Sequence, residues 1–260
     1  MDKQYTIDDL LEIVRTLRGE NGCPWDKVQT HESLKKGMIE EAYEAIDALD
    51  AGDDKMFANE LGDVLLQVVF HAVLAQEREA FDFGNVLNEI CTKLIDRHTH
   101  VFGKDKAVSA EEALGTWEAN KKREKGQATY TETLTDVPPS LPALMRAEKV
   151  QKKASAAGFD WPEADGAAEK IQEEAQELLA AVQSGKKDQI EEEYGDLLFS
   201  VVNLGRFLKV TPELSLTAAT NKFIRRFARM EEEAKAQGKD FSALNLAEKD
   251  EIWNKIKQKS

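Results

Sequence analysis

Apolar residues recur every three or four positions over most of the chain, and the alternating pattern of strands does not occur. Glycines are sparse within these periodic runs, and short clusters of Gly, Asp and Pro separate them. The pattern predicts an all-α protein. The predicted helices span residues 6–18, 30–49 (or 33–49), 55–78, 83–97, 109–125, 142–157, 165–184, 190–209, 214–237 and 246–257.

Two of these helices carry long apolar runs. One run occupies residues 64–70 and the other residues 197–202, each interrupted by a single polar side chain. A helix that is apolar around most of its circumference is usually buried. Both helices are therefore predicted to be core elements.

A change of composition at residues 126–142 divides the chain. This segment holds three of the six prolines and a threonine-rich stretch, which interrupts the helical pattern. We predict a linker here. It separates one helical domain at residues 1–125 from a second at residues 143–260.

The two predicted domains share one pattern of acidic residues. Each acid in the first domain has a counterpart 133 positions later, which indicates an internal duplication. The pairs are Glu40/Glu173, Glu41/Glu174, Glu44/Glu177, Glu60/Glu193 and Asp63/Asp196. Chance rarely places five acids at identical spacing twice in one chain.

The spacing of these acids favours a metal site. Glu41 and Glu44 share one face of a helix, and so do Glu60 and Asp63. If the two helices pack antiparallel, four carboxylates converge, and a cation must offset their repulsion. Oxygen-only ligands suit Mg²⁺, and Mn²⁺ is also possible. The alternative is a solvated acidic face, which is the usual role of a single acidic run.

Charge and cysteine content limit the partners. The formal net charge is −14, which argues against a nucleic acid, because phosphate binding needs a basic surface. Cys23 and Cys91 fit neither a disulfide framework nor a zinc cluster, so we expect both to be small buried apolar residues. The first residues lack the layout of a signal peptide, and the apolar stretch at 64–75 is expected to be too short to span a membrane. A cytoplasmic location is expected.

Each domain also carries a basic pair followed by a tryptophan. Lysine and arginine four positions apart project from one face of a helix and suit phosphate binding. The two sets are Lys93, Arg97 and Trp117, and Lys222, Arg226 and Trp253. Surface ion pairs and core packing are the alternative roles. The sequence contains neither a P-loop nor a dinucleotide fingerprint, so phosphate chemistry would depend on carboxylates and a metal.

With these motifs, the chain resembles the MazG nucleoside triphosphate pyrophosphohydrolases, which belong to the all-α NTP pyrophosphatase superfamily. The family motif of EExxE, a spacer and ExxD stands at residues 40–63 and again at 173–196. The segments CPWD at 23–26 and SLPAL at 140–144 also resemble the two-domain bacterial form. The resemblance covers almost the whole chain. It implies two tandem MazG-like domains whose four-helix-bundle-type cores form through dimerisation.

The resemblance also implies an activity and the residues that perform it. Such enzymes use Mg²⁺ to hydrolyse ribo- and deoxyribonucleoside triphosphates at the α–β bond, and they are homodimers. From the charge and the apolar pattern, neither a nucleic acid nor a membrane is an expected partner. The implied catalytic and metal-binding residues are Glu174, Glu177, Glu193 and Asp196, with a second set at Glu41, Glu44, Glu60 and Asp63. The implied nucleotide- and phosphate-binding residues are Lys170, Glu173, Gln189, Glu192, Lys222, Arg225, Arg226 and Trp253, and in the first domain Lys93 and Arg97.

One position departs from the expected pattern. Gln189 stands where we expect a basic residue near the phosphates. The second domain is still favoured as the catalytic one, because Lys222, Arg225 and Arg226 concentrate positive charge there. The first domain is expected mainly to dimerise. Two alternatives remain: a non-catalytic, metal-stabilised helical binding module, and a base-specific dUTP or dCTP pyrophosphatase.

Overall fold

The computed structural model describes residues 4–258, and within that range the regular elements are all helices. The chain divides into two compact units, Met1–Glu124 and Lys125–Ser260. The first unit contains α1 (Ile7–Arg18), α2 (Pro24–Lys27), α3 (Lys35–Ala51), α4 (Asp54–Glu77), α5 (Phe83–Arg97), α6 (Thr99–Phe102) and α7 (Ala110–Glu124). The second contains α8 (Tyr130–Thr135), α9 (Ala143–Ala156), α10 (Ala164–Ser184), α11 (Lys187–Phe207), α12 (Pro212–Ala236) and α13 (Leu246–Gln258). The predicted tandem all-α fold is confirmed.

A hairpin of α3 and α4 forms the centre of the first unit, and α1 packs against α4. Gly52 ends α3 with φ +69°, a left-handed conformation that glycine adopts without a steric penalty. The carboxylate of Asp53 then caps α4 by accepting hydrogen bonds from the first backbone N–H groups. The core side chains are Leu11, Val14, Leu34, Val69, Phe70, Ala72, Val73, Leu74 and Phe83.

Arg18, at the end of α1, fixes the turn that leads to α3. Its guanidinium donates to both carboxylate oxygens of Glu77 at 2.6 Å. It also donates to the carbonyls of Asp26 at 2.5 Å and Gln29 at 3.2 Å. Only 7% of the Arg18 side chain is exposed, so these hydrogen bonds are shielded from water.

The second unit repeats the hairpin with α10 and α11. Gly185 ends α10 with φ +70°, at the position in the repeat that corresponds to Gly52. Helix α9 packs on α11, where buried Gln151 donates a hydrogen bond to the carbonyl of Phe199 at 2.7 Å. Helix α12 packs on α9 and α13. A small core there consists of Met230, Ala234, Leu244, Ile252 and Ile256.

Every predicted helix occurs, with ends shifted by a few residues. The prediction missed α2, α6, α8 and the 3₁₀ turn Phe241–Ala243, because one-turn helices show too few residues for a periodic pattern. The predicted linker at 126–142 contains α8, which begins with a capping box between Thr129 and Glu132 and packs on α9. The whole segment therefore belongs to the second unit.

Both apolar runs are only partly buried. In α4, residues 69–70 of the run and residues 72–75 beyond it are buried, while Leu65 is 40% exposed. In α11, the buried residues are Ser200 and Val202, while Leu198 is 43% and Phe199 46% exposed. The prediction that these runs are buried was therefore wrong for much of each run in the single chain. Within its unit, α11 packs on α9 and α10, and part of its apolar circumference stays uncovered.

Two expectations drawn from composition were also wrong. Cys91 is exposed on α5 and Cys23 is half-buried, so neither is a core residue. Among the described residues, α4 alone is long and apolar enough to cross a membrane by length and composition, so length does not exclude a span. This is weak support for a span, because core helices of soluble proteins pass the same test.

Candidate metal and nucleotide site

The two hairpins place the acids of the repeat together. Because the turn at Gly52 or Gly185 reverses the chain, the EExxE face of the first helix meets the ExxD face of the second. Each hairpin thus collects carboxylates that are distant in sequence. This convergence is what the spacing of the acids predicted.

In the first unit, the cluster is formed by Glu41, Glu44 and Glu60, whose ligand oxygens lie within 4.8 Å of one another. Glu60 is only 8% exposed. Burial raises the pKa of the Glu41 carboxyl, and three neighbouring carboxylates raise it further, namely Asp63, Glu44 and Glu60. Asp63 is therefore close enough to act on Glu41, although it lies outside the tight group.

In the second unit, Glu174, Glu177 and Glu193 form the matching cluster within the same 4.8 Å limit. Glu174 is 5% exposed. Burial raises the pKa of the Glu193 carboxyl, and so do the charges of the carboxylates around it, which are Glu177, Glu174, Glu192 and Asp196. Asp196 again lies beside the tight group rather than in it.

A lysine distinguishes the second cluster from the first. The Nζ atom of Lys170 lies 2.8 Å from Glu173 Oε1 and 2.6 Å from Glu174 Oε1. These two carboxylates raise the pKa of Lys170, so its side chain stays protonated. The corresponding position in the first unit is Gly37, which has no side chain.

Both clusters fit a hard divalent cation. All their donors are carboxylate oxygens, and repulsion among them already raises the pKa of one member in each unit. In the first unit, the Oε1 atom of Gln67, one helical turn after Asp63, is buried without a hydrogen-bond partner.

In each unit, the arginine of the basic pair lies over the ring of the tryptophan. Arg97 lies over the Trp117 ring at 5.2 Å, and Arg226 lies over the Trp253 ring at 5.8 Å. Arg97 is also held by Glu124 through hydrogen bonds of 2.8 and 3.0 Å. Arg226 differs, because its buried Nε has no partner. Arg226 therefore has fewer hydrogen-bond partners in the described chain than Arg97.

The structure does not bring every predicted residue to the carboxylates. Helix α12 packs on α9 and α13 rather than on the α10–α11 hairpin. Within residues 4–258, Lys222 and Arg225 form no ion pair. Gln189 lies at the hairpin turn, where it accepts a 3.4 Å hydrogen bond from Ser184. Lys93 pairs only with Glu89, at 3.8 Å.

Two polar features of the first unit received no role from the sequence. Gln67 continues the acidic face of α4, as its sequence position indicates, and its amide lies beside Gly37. His31 and His71 stack with ring centroids 5.1 Å apart and share a 2.8 Å contact between their Nδ1 atoms. Because the two histidines are 40 positions apart, no local sequence pattern predicts this contact.

Comparison with known sequences supports the similarity of the two halves of the chain. The model of the MazG nucleotide pyrophosphohydrolase domain matches residues 29–102 and again 165–231. The chain is 47% identical over 253 residues to the nucleoside triphosphate pyrophosphohydrolase/pyrophosphatase MazG of Thermotoga maritima, covering 96% of this chain and 95% of that one. It is 42% identical over 255 residues to the nucleoside triphosphate pyrophosphohydrolase of Escherichia coli K12, covering 97% of each. The uncharacterised protein YabN of Bacillus subtilis is 43% identical over 247 residues, which are 95% of this chain and 50% of YabN.

Proposed function

Because the chain belongs to the MazG nucleotide pyrophosphohydrolase family, we propose that it hydrolyses nucleoside triphosphates, both ribo- and deoxyribo-, at the α–β phosphoanhydride. The products are a nucleoside monophosphate and pyrophosphate, and the cofactor is Mg²⁺. The observation that carries this proposal is the convergence of Glu174, Glu177 and Glu193 on one another within 4.8 Å. Oxygen donors at this density suit a divalent cation that itself binds phosphate oxygens.

The residues of the second unit have distinct roles in this reaction. Glu174, Glu177, Glu193 and Asp196 would hold the cation, which neutralises charge developing on the phosphates when it is bound. A carboxylate beside this group that does not ligate the cation would accept the proton of the attacking water.

Cations of the same unit would hold the triphosphate. Arg226 is kept over Trp253 and forms no ion pair within residues 4–258, so its terminal NH₂ groups could bind a phosphate. Lys170 already lies beside the carboxylates, where a second phosphate would arrive. Lys222 and Arg225 lie on the same helix as Arg226 and add positive potential.

We also propose that the active form is a homodimer. The hairpins leave apolar side chains uncovered at equivalent positions: Leu65 is 40% exposed, and Leu198, 133 positions later, is 43% exposed. The same holds for Leu61 at 47% and Tyr194 at 56%. Apolar faces that recur in both units suit pairing with a second copy.

The experiment is a turnover assay with Mg²⁺ and a panel of NTPs and dNTPs, in which pyrophosphate and orthophosphate are resolved. Pyrophosphate and monophosphate from several bases are the expected products. Glu177→Gln and Asp196→Asn should each abolish most turnover, while Glu44→Gln and Asp63→Asn, the matched changes in the first unit, should retain most of it. A single accepted base would instead favour the base-specific enzyme.

The second candidate is a non-catalytic module in which the cation only stabilises the fold. The buried carboxylates Glu60 and Glu174 favour it as well, because a cation relieves their repulsion without any chemistry. That candidate predicts a higher melting temperature with Mg²⁺ and no turnover of any nucleotide. Such a result would replace our proposal.

A further inference from the structure

Trp161 lies flat on helix α10 and keeps one face of its ring uncovered by that helix. A Cβ atom added to Gly166 would lie 3.2 Å from the ring atom Cδ2 and 3.3 Å from its two bonded neighbours, Cγ and Cε3. A central atom that is nearest, with equally distant neighbours on both sides, indicates contact with the face of the indole rather than with its edge. The residue is 44% exposed. The opposite face of the indole is therefore available to a ligand.

The residue before Trp161 fixes the position of the ring. One carboxylate oxygen of Asp160 accepts a hydrogen bond of 3.0 Å from the backbone N–H of Trp161, and the other pairs with Arg206 of α11. The side chains of this ion pair are only 20% and 12% exposed. The indole is thus attached to both helices of the carboxylate hairpin, and it loses little conformational freedom when a ligand binds.

The indole continues a row of polar side chains on α10. Gly166, Lys170 and Glu174 are four residues apart and follow one face of the helix. Glu174 belongs to the carboxylate cluster, and Lys170 lies 2.6 Å from it. At about 1.5 Å per residue, Gly166 lies about 6 Å beyond Lys170 and about 12 Å beyond Glu174 along the axis. A nucleotide whose phosphates reach Lys170 and the cluster can therefore place its base on the indole.

The other tryptophans do not offer the same surface. Trp117 and Trp253 each have an arginine guanidinium over the ring, at 5.2 and 5.8 Å. Trp25 is 66% exposed, but it lies in the one-turn helix α2. In the first unit, Ser33 stands where the second has Gly166, and its Cβ atom would come within 3.2 Å of a ring placed in the same way. An aromatic face in line with the carboxylates is therefore a feature of the second unit.

We propose that Trp161 stacks on the nucleobase of the triphosphate bound by the second unit. Stacking uses the π face that every base has and needs no particular hydrogen-bonding edge, so a site built in this way accepts several bases. The assignment rests on the proposed function for the cation and the phosphates. It adds the part of the substrate that the carboxylates and Lys170 do not contact.

The test compares two probes that bind to the full chain in the presence of Mg²⁺. One is α,β-methylene-ATP, which is not cleaved at the α–β bond, and the other is inorganic tripolyphosphate, which has no base. By isothermal titration calorimetry, Trp161→Leu should weaken the binding of the ATP analogue about tenfold, or about 1.4 kcal/mol, as expected for the loss of one stacked base. The affinity for tripolyphosphate should not change. Trp161→Phe keeps an aromatic face and should recover most of the loss.

Trp25→Leu is the matched control and should bind both probes as the unchanged chain does, and thermal melting checks that each variant is folded. The ATP analogue should also quench the tryptophan fluorescence of the unchanged chain more than that of Trp161→Phe. Undiminished affinity for the analogue in folded Trp161→Leu, an equal loss for tripolyphosphate, or equal quenching in both chains would overturn the proposal. So would the absence of analogue binding by the unchanged chain. Because neither probe has to be cleaved, a failed turnover assay would count against the proposed hydrolysis alone.

Discussion

The equivalent apolar positions Leu65 and Leu198 allow a direct test of dimerisation. Both are leucines on the second helix of a hairpin, and they are 40% and 43% exposed. We take Leu198→Glu as the perturbation, because it places a charge in the middle of the uncovered face of α11 without touching the carboxylates. Leu246→Glu is the matched control, since Leu246 begins α13 and is 75% exposed.

The expected loss follows from the exposure. Full burial of a leucine contributes about 1.5–3 kcal/mol, so the 43% of Leu198 that is still exposed corresponds to about 1 kcal/mol. A two-fold interface contains the position twice, which gives about 2 kcal/mol. Burying two glutamate side chains adds at least about 3 kcal/mol, from the cost of desolvating polar groups. The sum of about 5 kcal/mol weakens the dimer by more than about a thousandfold.

Sedimentation velocity between about 1 and 50 µM measures this effect, together with Mg²⁺-dependent turnover of the same samples. The unchanged chain and Leu246→Glu should be dimers with equal activity. Leu198→Glu should be a folded monomer with little activity. A Leu198→Glu dimer of undiminished affinity would refute the assignment of this face, and a fully active monomer would refute the need for a dimer in catalysis.

Contacts within each unit give three more predictions. Arg18→Met should destabilise the first unit by about 3 kcal/mol in urea unfolding, because two carbonyls lose a charged donor at roughly 1.5 kcal/mol each. Glu77→Gln, at a carboxylate that is 44% exposed, should cost less than about 1 kcal/mol. Burial and the charge of His31 lower the pKa of His71 from 6.5, so the unfolded state binds more protons and the stability of the first unit should fall as the pH drops below about 6.5, by at most about 1.4 kcal/mol per pH unit. His71→Leu should show a flatter pH dependence of the melting temperature, and an equal slope would contradict the assignment. Arg226→Gln should raise the KM for ATP about tenfold or more with little change in melting temperature, and an unchanged KM would remove Arg226 from the phosphate site.

The helices and the carboxylate clusters were predictable because both depend on short-range rules. Three positions along a helix bring Glu41 and Glu44 onto one face, and a glycine turn reverses the chain a few residues later. The second copy at a constant offset then separates this signal from the many other acids of the chain. No information about distant packing is needed at any of these steps.

The remaining features depend on which helix faces cover one another, and no local pattern contains that information. The sequence of helix α11 is typical of a core helix, yet Phe199 is 46% exposed, because the chain covers only part of the helix circumference. Helix α12 carries the basic pair but packs away from the carboxylate hairpin. The contact between His31 and His71 joins a turn to the middle of α4. Each of these features depends on tertiary packing, and the local sequence is compatible with several packing arrangements.

The pattern of change between the two halves constrains what each half does. The acids are the same at all five pairs of positions, whereas neighbouring positions differ, and among them Gly37 and Gln67 in the first half stand where Lys170 and Ser200 stand in the second. In the second half the ammonium of Lys170 lies 2.6 Å from Glu174, whereas Gly37 offers no side chain to Glu41. A cation that entered the second cluster would therefore have to displace Lys170 from Glu174, and a cation that entered the first would displace no lysine at this position.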